Sequence, residues 1–159
     1  MQDEGRLGGF HFNNKKYADD DLTVGSIHPY ELFLIFSELI DGERDPAVHM
    51  DVAYMLDESV NIKVKIPAMI QSVVNVQVAY AQALLIDREA LREAQETGCV
   101  IQAEEVLLDA YRTDVRPLLA AMRDELGLDP DPIAAYLRSG YQEKIVAERG
   151  VSGSGSGYP

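Results

Sequence analysis

The chain has 159 residues, 47% of them hydrophobic and 26% charged, a length and composition sufficient for one folded domain without disulfide or metal staples. Collagen-like, low-complexity and wholly disordered classes are excluded. Fourteen basic against 27 acidic residues give a net charge of −13, which argues against nucleic acid as the main partner because binding to phosphates is driven by cationic side chains. The single cysteine, Cys99, has no intramolecular partner, and residues 1–9 lack the basic and apolar blocks of a secretory signal. An intracellular protein is expected.

Residues 1–9 carry three glycines and no periodicity and read as a flexible lead to a single domain over 10–148, with 149–159 as a Gly/Ser tail. Phe10, Phe12 and Tyr17 flank Asn13-Asn14-Lys15-Lys16, and asparagine tolerates the backbone of tight turns, so a short β-hairpin is expected there. A helix starts at Pro29 behind His28 and stops at Gly42. Its run Leu32, Phe33, Leu34, Ile35, Phe36 points apolar groups in every direction, making it either the central core element or a partner-binding one. Asp45-Pro46 opens a second predicted helix with Val48, Val52, Met55 and Leu56 on one stripe. Alternation of Val60, Ile62, Val64 and Ile66 with polar residues predicts a strand over 60–66 that pairs with the hairpin.

From Ile66 to Ile86 no residue is charged, yet Gln71, Asn75, Gln77 and Gln82 sit within the stretch, where amides are costly in lipid. A membrane span is therefore disfavoured and a largely buried helix preferred. Val74, Val76, Val78 and Tyr80 also alternate, leaving a strand over 73–80 as the alternative; the long run without turn residues favours helix. Arg88 and Arg92 fall on the previously apolar sector, so the helix changes neighbours or bends near Asp87, and it ends at Gly98. Ile101, Leu108, Tyr111, Val115, Leu118, Met122 and Leu126 predict a helix kinked at Pro117 and stopped by Gly127, followed by a shorter helix over 132–148. The fold class expected is mainly α, a helical bundle with a small N-terminal hairpin or sheet, with α+β as the alternative.

Chemistry-bearing patterns are sparse. His11, His28 and His49 are scattered. Asp45 and His49 have a spacing that can hold a metal, but two ligands on an acidic helix are better read as solvated surface. Glu104, Glu105 and Asp109 suit the positive end of a helix dipole. Cys99 has no histidine near it in sequence, and neither a phosphate-binding glycine loop nor a nucleophile elbow is present. These readings predict no catalytic residue, no cofactor and no bound metal. The apolar surplus instead nominates Leu32, Phe33, Leu34, Phe36 and Gln77 as an interaction surface for a protein partner or a second copy, with Gln77 setting register between helices.

The stretch Phe10-His11-Phe12-Asn13-Asn14-Lys15-Lys16-Tyr17, followed by Asp21-Leu22-Thr23-Val24-Gly25 and a compact helix, resembles the opening of small tailed-phage morphogenesis proteins, tail assembly chaperones among them. The resemblance covers residues 10–58 and departs at Ser26, where that family has Glu. It implies a non-enzymatic assembly or virion protein, in the host cytoplasm or the particle, with no catalytic residues to carry over. Two other classes stay open. One is an acidic mimic that inhibits a nucleic-acid enzyme through Asp19, Asp20, Asp21, Asp41, Glu43, Asp57 and Glu58; the other is a small metal-dependent enzyme around Asp45, His49 and the acids of 104–109.

Overall fold

A computed structural model describes residues 4–17, 21–48, 51–58 and 64–150. Among these, two short strands and seven helices follow in the order β1 (Gly9–Phe12), α1 (Pro29–Arg44), β2 (Ala53–Leu56), α2 (Lys65–Leu84), α3 (Arg88–Glu96), α4 (Val100–Arg112), α5 (Arg116–Glu125), α6 (Pro132–Arg138) and α7 (Tyr141–Arg149). The chain is mainly helical with a small two-stranded parallel sheet, as the composition and periodicity predict in class. Among the described residues no single helix is long and apolar enough to cross a membrane.

The sheet differs from the expected hairpin. β1 pairs with β2 in parallel, Gly9 opposite Ala53 and Phe12 opposite Leu56, because two parallel strands joined by a helical crossover satisfy each other's backbone groups while the helix covers one face. The Asn13-Asn14 turn is replaced by one antiparallel bridge, in which Asn14 and Leu22 exchange backbone hydrogen bonds of 3.0 and 2.6 Å. The predicted second helix is also corrected. Asp45 Oδ1 accepts from the Ala47 amide at 2.8 Å in a local turn, and Met55 and Leu56 belong to β2. Pairing with β1 outweighs the helical spacing of Val52, Met55 and Leu56. Of the strand expected over 60–66, residues 60–63 lie outside the described residues, Val64 caps α2, and Lys65 and Ile66 are helical.

The stretch 73–80 is helical within α2. The bend expected near Asp87 is present: α2 and α3 meet at 66°. Asp87 caps α3 by accepting from the Ala90 amide at 3.0 Å. Arg88 Nη1 reaches back to Ser37 Oγ at 2.8 Å and Asp41 Oδ2 at 2.9 Å, tying the bend to α1. Pro117 does not kink a continuous helix; Thr113–Val115 interrupt it, and Pro117 sits in the first turn of α5, where its missing N–H costs nothing. The helix expected over 132–148 is likewise divided, at Gly140, whose φ of 61° ends the α6 turn. The tail 151–159 lies outside the described residues.

α1 is the central element. Phe33 and Phe36 are fully buried, and Leu39 and Ile40 nearly so. Phe36 stacks on Phe12 of β1 at 5.0 Å between centroids and meets Tyr54 of β2 and Tyr80 of α2 edge-on at 5.6 and 5.5 Å. One ring thus joins both strands to both helices that cover them. On the other side of α1, Phe33 contacts Tyr111 of α4 at 5.5 Å. Leu32, Phe33 and Phe36 are therefore interior residues of this chain and Leu34 is half-buried; of the two roles open to the run, it takes the central core one.

Phe36→Ala is expected to destabilise the fold by about 3–5 kcal/mol, the range for deleting a buried aromatic ring, read as a lowered urea midpoint. A second expectation concerns Tyr54, whose hydroxyl donates to Glu43 Oε1 at 2.6 Å and so links β2 to the end of α1. Partial burial, followed by that hydrogen bond and the Glu43 charge, pushes the Tyr54 pKa above the usual tyrosine range. Because the fold holds the neutral phenol, the unfolded chain releases its proton first, near the ordinary value of about 10. Stability present below that pH is lost as pH rises above it. Urea midpoints followed through the alkaline range should fall less steeply for Tyr54→Phe than for the parent; equal slopes would contradict the assignment.

Candidate functional site

Side chains of β1 and β2 alternate between two environments. Phe10, Phe12, Tyr54 and Leu56 pack toward the helices. His11, Ala53 and Met55 are exposed on the other face, and His11 Nε2 lies 3.2 Å from Met55 Sδ across the register. The ladder continues one step past β2, where the Asp57 amide donates to Phe12 O at 3.0 Å. That bond fixes Asp57, exposed, beside the end of β1 at Phe12. Phe12 and Asp57, 45 positions apart in sequence, thus meet at one end of the sheet.

The loop after β1 adds a carboxylate to this edge. Asn13 Nδ2 donates to Asp21 Oδ1 at 2.9 Å, which holds Asp21, half-buried, above the end of β1. Asn14 turns the other way, its Oδ1 accepting from the Ile27 amide at 3.1 Å, and so anchors the far end of the loop ahead of α1. After β2, Glu58 follows the alternation inward, and Ser72 of α2 donates its hydroxyl to Glu58 Oε2. Glu58 Oε1 is buried with no hydrogen-bond partner among the described residues. The carboxyl ends of β1 and β2 and the loops that follow them therefore carry His11, Asn13, Asp21 and Asp57, while Glu58 turns inward to α2.

Of the acids read as a mimic surface, Asp21, Asp41, Glu43 and Glu58 are each engaged within the chain, by Asn13, Arg88, Tyr54 and Ser72. His49 and its proposed metal pairing with Asp45 lie outside the described residues, as do Asp19 and Asp20. Glu104, Glu105 and Asp109 are exposed on α4. Among the described residues no three His, Cys, Asp or Glu side chains are close enough together to hold a metal ion. Cys99 is exposed at the start of α4 without a capping hydrogen bond. Sequence reasoning missed that His11 and Asp57 lie toward the same end of the sheet, because only the parallel register brings β1 and β2 together.

Gln77 lies elsewhere. It lines an apolar groove of about 810 Å³ between α2, α5 and α6, with Val73, Leu84, Leu118, Met122 and Leu126. There its Oε1 accepts from Arg123 Nη2 at 2.5 Å, a bond within the chain between α2 and α5.

No family model matches the sequence. A probable sugar isomerase of Mesorhizobium japonicum is 51% identical over 152 residues, which cover 96% of this chain and 35% of the relative. A probable sugar isomerase of Rhizobium meliloti is 50% identical over 153 residues, covering 96% of this chain and 36% of the relative. The chain spans about a third of the length of these curated relatives. Identity of this extent overturns the resemblance to tail assembly chaperones, which rested on short motifs within residues 10–58. With it fall the expectations of a phage assembly or virion component and of a non-enzymatic protein: the chain is similar, over nearly its whole length, to part of proteins named as sugar isomerases.

Proposed function

We propose that this chain carries part of the reaction centre of a sugar isomerase, at the carboxyl ends of β1 and β2. The observation that carries the reading is the parallel pairing that sets His11, the Asn13–Asp21 pair and Asp57 along one sheet edge. Ligand sites of parallel α/β folds lie beyond the carboxyl ends of the strands, where loops of successive βα units converge. Polar side chains concentrated there, in a chain about half identical to probable sugar isomerases, support a site for a polyhydroxylated substrate.

The chemistry fits those groups. Interconverting an aldose and a ketose moves a hydrogen between adjacent carbons and a proton between their oxygens. That requires a group that takes and returns a proton, and donors that polarise the carbonyl. An imidazole and a carboxylate are the usual proton carriers, which assigns His11 and Asp57 to proton transfer and to the reacting oxygens. Asn13 and Asp21, already joined, supply a donor and an acceptor to neighbouring hydroxyls.

The reading also includes further parallel βα units beside β1 and β2, in the same polypeptide or another. Parallel sheets occur with both faces covered, whereas here the face bearing His11, Ala53 and Met55 is bare in the described chain.

The test is turnover of a panel of aldoses and ketoses by the protein at its encoded length, followed by NMR of the anomeric protons. His11→Asn and Asp57→Asn should each lower kcat/KM by about a hundredfold or more, the usual contribution of a positioned acid or base, with the circular dichroism spectrum unchanged. Turnover of none of these sugars, or undiminished turnover in both variants, would overturn the proposal.

A further inference from the structure

Resting on the isomerase reading, we infer that Ser72 is a positioning residue that couples the loop after β1 to the loop after β2 and so sets Asp21 against Asp57. Ser72 is fully buried on α2. Its Oγ accepts from the Val24 amide at 3.0 Å and donates its proton to Glu58 Oε2. One turn further along α2, Asn75 Nδ2 donates to the Val24 carbonyl at 2.7 Å. Both backbone groups of Val24 are therefore held by α2, and the same hydroxyl that holds its N–H holds the residue after Asp57.

The geometry leaves little slack in this clamp. Val24 is fully buried and Thr23 nearly so. The next residue, Gly25, has φ +73°, and a side-chain carbon there would come within 3.2 Å of both Asn75 Cβ and Leu32 Cδ2. The loop thus seats its backbone directly on α2 and α1. Asp21 stands three residues before Val24 and is fixed at its other side by Asn13. Asp57 stands one residue before Glu58 and is fixed at its other side by the ladder bond to Phe12. Asp21 is held by the Asn13 side chain just past β1 and, through Val24, by Ser72; Asp57 is held by the ladder bond to Phe12 and, through Glu58, by the same hydroxyl.

A serine suits the position because its hydroxyl accepts and donates at once. The donation to a carboxylate is charge-assisted and polarises the oxygen that receives the Val24 N–H. Alanine deletes both bonds, threonine keeps both, and cysteine keeps the size of the side chain but is a weak partner in each.

The experiment compares Ser72→Ala, Ser72→Cys and Ser72→Thr with the parent by amide hydrogen exchange and by isomerase kinetics. In Ser72→Ala the Val24 amide should exchange at least about tenfold faster, since its protection then rests on local opening, while the Ala53 and Asp57 amides of the ladder keep their rates. Since small misplacements of reacting groups are costly, kcat should fall about tenfold to a hundredfold with KM little changed, and Ser72→Thr should recover both readouts. If Ser72→Ala does not fold, the near-isosteric Ser72→Cys provides the same comparison. An unchanged Val24 amide, or faster exchange with kcat unaltered, would overturn the inference in a protein whose parent form turns sugars over. Absence of turnover in the parent would instead remove the isomerase reading on which the positioning role rests.

Discussion

Parallel strands cannot be joined by a tight turn, and this constraint organises the molecule. To lie beside β1 in register, β2 must return over the length of a crossover, and α1 provides it. The crossover buries its own apolar surface against the sheet it creates. Phe36 touches Phe12, Tyr54 and Tyr80 together, so the ring that stabilises the crossover also fixes the register of the strands. The same pairing brings both carboxyl ends to one edge; His11, Asn13 and Asp57 leave the backbone within a residue of it, and Asp21 is brought to it by Asn13.

The fold was legible in the sequence where local pattern and tertiary context agree. The apolar run Leu32 to Phe36 demanded cover on most sides, and α1 receives it from the sheet, α2 and α4. The charge-free stretch from Ile66 resolved as helix despite its valines, but it is less buried than the sequence suggests: its small residues Ala68, Ser72, Ala79 and Ala83 are covered while Ile66, Val73 and Leu84 stay exposed. The arginine after that stretch, Arg88, marked the bend, since it needs polar partners and finds them on α1.

Where pattern and context diverge, the sequence misleads. β2 has four residues, too few for alternation to be distinguished from a helical stripe, and Val52, Met55 and Leu56 happen to fit the stripe. Its strand character comes from β1, which no local window contains. The candidate site was hidden for the same reason: His11 and Asp57 belong to no spaced motif, and Asp57 and Glu58 read as part of an acidic surface. Alternation past the end of β2 separates these neighbours, sending Glu58 inward to Ser72 and leaving Asp57 exposed. The phage resemblance drew on the residues that build β1 and its following loop, a short segment whose turn chemistry many folds share.

The central claim is that the strand ends, rather than the apolar groove between α2, α5 and α6, receive a sugar. The most direct measurement is chemical-shift mapping of the protein titrated with an aldose and its corresponding ketose. The account predicts the largest shifts at His11, Asn13, Asp21 and Asp57, with smaller ones relayed to Val24 and Glu58. Shifts concentrated at Val73, Gln77, Leu118 and Met122, with the strand ends unmoved, would contradict it.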